Sequence, residues 1–327
     1  MKRFLIIQTA FIGDVVLMTP IIEKLHRFYP NAIIDCVVRK GNESLLKDHP
    51  HLRQVLVWNK KESKYKNLWT LLQNIRAEQY DTVINCQRFL ATGLLASFSR
   101  GKQIIGFDKN PVAFLYHKKL PHEYGTTEKP IHEVHRNLSL IQDLTDDSFE
   151  MPKLYPSKED KAPIPQSEKY ICIAPTSVWF TKQYPAEKWI ELINHLPQNY
   201  TIYLLGGPGD KVACESIKTA TTHPKVVNQA GQLSLLASAA LMQKAQMNYA
   251  NDSAPIHLAS AMNAPITAIF CSTIPKYGFT PLSDNARIVE TQLDLDCRSC
   301  GIHGYKACPK GHFKCAEINV EQLIVNC

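Results

Sequence analysis

Several absences narrow the chemistry of this chain before any motif is read. No apolar run in the 327 residues approaches the ~20 needed for a membrane-spanning helix. The dinucleotide fingerprint G-x-G-x-x-G is missing, and so is the phosphate loop G-x-x-x-x-G-K-[ST], which disfavours a P-loop NTPase. No aromatic-interleaved basic groove or nucleic-acid motif occurs, so no nucleic-acid partner is expected. The opening "MKRFLIIQTAFIGD" has the basic start of a signal peptide. Its apolar stretch is only "FLII" before Gln8, however, and no small-residue cleavage site follows. It reads as a buried first strand, and the expected location is the cytoplasm.

What the chain does contain is globular: 45% hydrophobic and 20% charged residues, long enough for two domains. The net charge of +7 is uneven. Residues 1–160 carry 23 Lys+Arg against 18 Asp+Glu, and residues 161–327 carry 14 against 12. A basic first half suits an anionic partner such as a phosphorylated sugar or lipid head groups, though a solvated surface explains the same charge.

The first half alternates short apolar runs with amphipathic stretches. "RFLIIQ", "AIIDCVV", "VLVWN" and "DTVINC" read as strands, with helices over 15–29 and around 67–79. Residues 151–169, with four prolines, read as a linker. The pattern then restarts with "YICIAP", "YTIYLL", "KVVNQ", "MNYAN" and "PITAIFCS" as strands, and "PAEKWIELINHL", "SLLASAALMQKA" and "PIHLASAM" as helices. Such alternation predicts two α/β domains with parallel sheets, over 1–155 and 156–327, without an internal sequence repeat. Parallel sheets bind ligands beyond the carboxyl ends of their strands, so a cleft between the domains is the expected site.

Four strand-to-helix loops carry candidate chemistry. "TAFIGD" places Gly13 and Asp14 at the first helix, where an acid is either a helix cap or a base. "APTSVWFTK" supplies Thr176, Ser177 and Lys182, the lysine suited to phosphate. Trp179 has no assigned role. "LLGGPGD" holds Gly206 and Gly207, which a tight turn alone would explain. In "NDSAPIH", Ser253 is placed to cap a helix beginning near Pro255, whose exposed N–H groups suit a diphosphate. His257 falls in the first turn. The plain alternative is an N-cap beside a satisfied histidine.

Read in order, these elements resemble glycosyltransferase family 9, the lipopolysaccharide heptosyltransferases. The residues carrying the likeness are "TAFIGDVVLMTP", "PTSVWFTKQYP", "GGPGD" and "DSAPIHLA", with weaker support from "NCQRFLATGLLASFSRGKQIIGFD" and "HEVHRNLSLI". Thr176, Tyr184 and Ala254 depart from the family's glycine, tryptophan and glycine. Ala254 bears on the donor, because it adds a Cβ where backbone approaches phosphate.

The resemblance implies a GT-B fold, two Rossmann-like domains facing a central cleft. It implies an acceptor-binding first domain and a nucleotide-sugar-binding second domain that ends in a Cys-rich tail. It also implies an inverting, metal-independent transfer of heptose from ADP-heptose to a lipid-linked lipopolysaccharide core, without a cofactor. Asp14 is then the general base. Thr176, Ser177, Lys182, Gly206, Gly207, Asp252, Ser253, Ala254 and His257 hold the donor, with Asp252 orienting Lys182 or sugar hydroxyls. Thr9, Gly13, Arg100 and Lys102 face the acceptor, and Lys109, Lys118 and Lys119 add charge for acceptor phosphates or anionic lipid. Peripheral contact with the cytoplasmic face of the inner membrane is consistent with this. Another nucleotide-sugar serving a different surface glycan, or a non-catalytic nucleotide-binding module, are the competing readings.

Ten cysteines are present. Cys36, Cys86, Cys172, Cys214, Cys271 and Cys327 sit in apolar or terminal contexts, as small hydrophobes do. Cys297, Cys300, Cys308 and Cys315 form C-x2-C-x7-C-x6-C with His303 and His312 inside. A structural zinc site, free reduced thiols and disulfides all remain open for these four.

Overall fold

The run Arg3–Ile7 forms β1, and every residue after Arg3 is buried, as expected of a parallel strand covered on both faces. A computed structural model describes residues 1–161 and 169–324, and its contacts divide the chain into units 1–155 and 156–327. The first unit continues with α1 (Ile12–Phe28), β2 (Ile33–Arg39), β3 (Gln54–Trp58), α2 (Lys64–Glu78) and β4 (Thr82–Asn85). It closes with α3 (Leu90–Ser97), β5 (Gln103–Phe107), β6 (Lys118–Leu120) and α4 (Glu133–Ser139). The six strands are parallel in the order β3-β2-β1-β4-β5-β6.

Pro20 lies inside α1 and has no N–H for the carbonyl of Val16. The hydroxyl of Thr19 donates to that carbonyl instead, at 2.7 Å, so the helix continues through the proline.

The second unit holds α5 (Lys158–Lys161), β7 (Tyr170–Ala174), α6 (Ala186–His195), β8 (Thr201–Leu204), α7 (Lys211–Ala220) and β9 (Val226–Asn228). Then come α8 (Leu235–Lys244), β10 (Met247–Asn251), α9 (Ala254–Ala261), β11 (Ile266–Phe270) and β12 (Ala286–Glu290). The order β9-β8-β7-β10-β11-β12 repeats the topology of the first sheet without repeating its sequence. Each sheet reverses its winding once, between β1 and β4 and between β7 and β10. Those two crevices are where an open parallel sheet takes a ligand.

The pattern expected fewer strands than are present. β5 was hidden because only Ile104, Ile105 and Phe107 mark it. β6 is a three-residue edge strand starting Lys-Lys, and β12 exposes most of its length. The expected linker is also corrected at its ends. Leu154 is buried, and Lys153 and Tyr155 reach Glu23 at 3.4 and 2.8 Å, so this segment belongs to the first unit. Asp160 accepts from the Ser234 hydroxyl at 2.7 Å within the second. Residues 162–168 of that expected linker lie outside the described residues. Among the described residues no helix is long and apolar enough to cross a membrane.

Candidate active-site residues

In the first unit the loops after β1 and β4 meet across the crevice, where the Gln87 side-chain amide donates to Gln8 Oε1. Thr9 is buried beside them and holds Lys60, whose Nζ donates to the Thr9 carbonyl at 2.7 Å and to its hydroxyl at 3.0 Å. Lys60 follows β3. Its pKa is pushed down to about 8, chiefly by burial and then by the charges of Arg39 and Lys64. Gly13 and Asp14 are half-buried in the first turn of α1, and Asp14 Oδ2 accepts from the Phe11 N–H at 3.0 Å. Asp14 therefore is a helix cap in geometry. Capping uses the backbone to aim the carboxyl group, and that leaves the base role compatible with it.

Asp14 also has charged neighbours that motif reading missed. Glu133, at the start of α4, has its pKa raised to about 7 by burial. Arg136 opposes this from 2.7 Å, and the negative Asp14 reinforces it. The guanidinium of Arg39 feels the opposite pull from Asp14, but burial prevails and lowers its pKa. Burial and the charges of Arg88 and Arg136 push His122 down to about 4. "HEVHR" was the sequence signal for Glu133 and Arg136. Nothing local announced Lys60, which reaches Thr9 only because β3 and β1 share a sheet.

Two acceptor candidates, Arg100 and Lys102, lie away from the Asp14 loop. Lys102 pairs with Asp81 at 2.7 Å, just before β5 and β4 begin. Arg100 is exposed at the same amino edge, with φ +64°. Asp14 follows the carboxyl edge, roughly 15 Å away along strands rising ~3.3 Å per residue. Lys118, which opens β6, likewise pairs with Asp143. All three lie at the amino edge of the first sheet, opposite the edge that carries Asp14.

In the second unit Asn251 ties the two crevice loops together: its amide donates to the Pro175 carbonyl and its Oδ1 accepts from Tyr184 N–H, both at 2.8 Å. Lys182 Nζ then lies 2.7 Å from Asp252 Oδ2, which also accepts from the Thr273 hydroxyl at 2.6 Å. Asp252 is buried and Lys182 is nearly so, which makes this an oriented cation at the start of α9. Thr176 and Ser177 are half-buried in the same loop, and Gln183 donates to the Ser177 carbonyl at 2.6 Å.

Ser253 occupies the N-cap position of α9, but the expected cap is absent. Its hydroxyl turns back to the Asn251 carbonyl at 3.2 Å. Ala254 and Pro255 begin the helix, and His257 is buried 6.5 Å from the Phe279 ring centre. Gly206 and Gly207 form a turn closed by Asp210, which accepts from Gly207 N–H at 2.8 Å. A Cβ on Gly206 would come within 2.7 Å of Asp210 Cβ, a structural reason for glycine there.

The Cys-rich tail leans on the Lys182 loop. Thr181 N–H donates to the Tyr305 carbonyl at 3.1 Å, and Tyr305 N–H donates back to the Thr181 hydroxyl at 2.8 Å. Gly304, at φ +75°, leaves no room for a Cβ, which would sit 2.9 Å from Thr181 Oγ1. Cys297, Cys300, Cys308 and Cys315 line one cavity with His312. All four are free thiols, and among the described residues no three His, Cys, Asp or Glu side chains are placed to hold a metal ion.

Comparison with known proteins agrees with this arrangement. The family model for glycosyltransferase family 9 (heptosyltransferase) matches residues 68–302, more than half of the chain. Lipopolysaccharide heptosyltransferase 3 of Escherichia coli is 28% identical over 285 residues, covering 80% of this chain and 82% of that protein. Among solved structures, the glycosyl transferase family 9 protein of Veillonella parvula superposes with a TM-score of 0.86 at 21% identity, over 98% of this chain and 95% of the other. E. coli ADP-heptose lps heptosyltransferase II gives a TM-score of 0.80 at 20% identity, over 99% and 96%. These two likenesses establish the α/β, GT-B class of fold with its two Rossmann-like units. With the family model matched across both units, the chain belongs to glycosyltransferase family 9, the heptosyltransferases.

Proposed function

We propose that the chain transfers heptose from ADP-heptose to the inner core of a lipid-linked lipopolysaccharide acceptor. The observation that carries this reading is the Lys182–Asp252 pair at the winding reversal of the second sheet, beside the first turn of α9. Family membership and the substrate named for the E. coli relative supply the sugar and the nucleotide.

In the reaction the acceptor hydroxyl attacks the anomeric carbon of the donor and the bond from that carbon to the diphosphate breaks. Asp14 accepts the hydroxyl proton as the new bond forms, and ADP leaves with the electron pair. Lys182 meets the charge developing on the diphosphate, with backbone N–H groups of α9 adding to it, and no resident cofactor enters. Asp252 holds Lys182 in place. In the first unit, Lys60 and Arg39 would replace Arg100 and Lys102 as the cations facing an anionic acceptor.

Asp14→Asn tests the base. Turnover should fall by about 10²–10⁴-fold, the usual worth of general base catalysis, with ADP binding by calorimetry unchanged. An equal loss of ADP affinity would remove Asp14 from the chemistry. Because Ala254 stands at the first position of α9, a panel of nucleotide-sugars tests the donor: binding of a GDP- or UDP-sugar in preference to ADP-heptose would overturn the heptose assignment and leave the fold reading intact.

A further inference from the structure

α4 carries a buried ion pair to which the reaction as described gives no part. Glu133 opens the helix, and its Oε2 accepts from Arg136 Nε at 2.7 Å. Both side chains are buried, and the Arg136 guanidinium is held further by the Ile131 carbonyl and by the Tyr124 ring, 4.6 Å away. A pair of charges kept out of water adds little to stability, because desolvation consumes most of the attraction. Its placement is more informative. α4 lies along α1: Asn137, one turn beyond Glu133, is buried and donates to the carbonyl of Leu17, about one turn beyond Asp14, at 3.1 Å. The two carboxyl groups therefore stand at the same end of the helix pair. The thiol of Cys86, just past β4, feels the Glu133 charge, so Glu133 lies close to the crevice between β1 and β4 that Asp14 borders.

The charges around Glu133 come from three elements. Arg136 lies on α4 itself, Asp14 on α1, and Arg88 and the Cys86 thiol in the loop after β4. His132 precedes Glu133, and its ring nitrogen accepts from the Val134 N–H at 3.1 Å. His122, beyond β6, faces Arg88 and Arg136. With Glu133 protonated, Arg136 is an uncompensated cation towards Asp14 and weakens it as a base. With Glu133 ionised, that cation is cancelled and Asp14 becomes the stronger base. Burial holds the change between these two states near neutral pH, at about 7. We propose that Glu133 is a positioning residue for the transfer: paired with Arg136, it sets the field at Asp14 and so the strength of the base that takes the acceptor's proton. The inference rests on the proposed transfer reaction, with Asp14 as its base.

Two readouts test it on the full chain. The first is the single-turnover rate of transfer from ADP-heptose to a lipopolysaccharide core acceptor, followed from about pH 6 to about pH 8. The wild-type rate is expected to rise roughly threefold to tenfold across this range, the reach of one charge through a partly screened interior. Glu133→Gln should stay at the low-pH level throughout, with acceptor and ADP affinities unchanged, and Glu133→Asp should restore the rise. The second readout needs no turnover. The carboxyl carbon resonance of Asp14, identified by its loss in Asp14→Asn, should move near pH 7 as Glu133 ionises, and Glu133→Gln should abolish that step. A rise that persists in Glu133→Gln, a loss of rate equal at every pH, or an Asp14 resonance unmoved near neutrality would each overturn the proposal. Wild-type protein that shows the coupled resonance but transfers no heptose would overturn the transfer reading alone.

Discussion

At the scale of single residues, environment separates groups that look alike in the sequence. The four tail cysteines are one example. Burial raises the Cys315 thiol to about 11 and also raises Cys300. Cys308 is different: desolvation pushes its thiol up, but the N–H groups of Phe313, Lys310, Gly311 and His312 point at the sulfur and bring the net shift down. Alkylation proceeds through the thiolate. Iodoacetamide at neutral pH should therefore label Cys308 before Cys300 and Cys315, by about tenfold or more in rate, as read by peptide mass spectrometry. Faster labelling of Cys315 would contradict the N–H cradle. Asp14 teaches a related lesson. Its position in the chain posed cap against base, and the structure supplies the cap bond to Phe11 without removing the base role.

At the scale of elements, α4 places Glu133 and Arg136 near the loop that holds His122, and the two titrations oppose one another. In the fold Glu133 keeps its proton up to about 7, against 4.5 for an ordinary glutamate, so between those values stability falls as pH rises. His122 stays neutral down to about 4, against an ordinary 6.5, so between those values stability is lost as pH falls. Each shift is worth ~3 kcal/mol at 1.36 kcal/mol per unit, and the two largely cancel where they overlap. Glu133→Gln removes one side of this balance. The variant's melting temperature should drop on acidification from pH 6.5 to 4.5 more steeply than that of the wild type, measured by scanning calorimetry. Parallel profiles would mean that Glu133 is ionised throughout. "HEVHR" was visible as a weak motif, but its partner His122 was not, because the link runs through packing rather than spacing.

For the whole molecule, two sheets of identical winding each offer one crevice, and the second is the one that should respond to nucleotide. A ligand bound only by the folded state stabilises it by ~2.7 kcal/mol at a hundred times its dissociation constant. ADP should raise the melting temperature by that route, and Lys182→Ala should abolish the rise; because the variant leaves the buried Asp252 carboxylate without its cation, its melting temperature without ADP should fall, and the ADP shift is read against that lower baseline. Stabilisation that survives Lys182→Ala would place the diphosphate elsewhere. Much of this plan was legible in the chain alone. Buried parallel strands must be nearly continuous apolar runs, and glycine, proline and capping residues must gather where strand turns to helix. Strand-helix alternation, the two-unit division and the motif loops at Asp14, Lys182, Gly206 and Asp252 all follow from those local rules. The tertiary structure decided which charges share an edge of a sheet. Lys60 and Lys102 look equivalent as lysines flanking strands, yet one follows β3 and reaches Thr9 while the other precedes β5 and pairs with Asp81. A parallel sheet puts every strand's carboxyl end on one side, and strand order sets the neighbours there. That geometry is a property of pairing between distant segments, which no local stretch of sequence records.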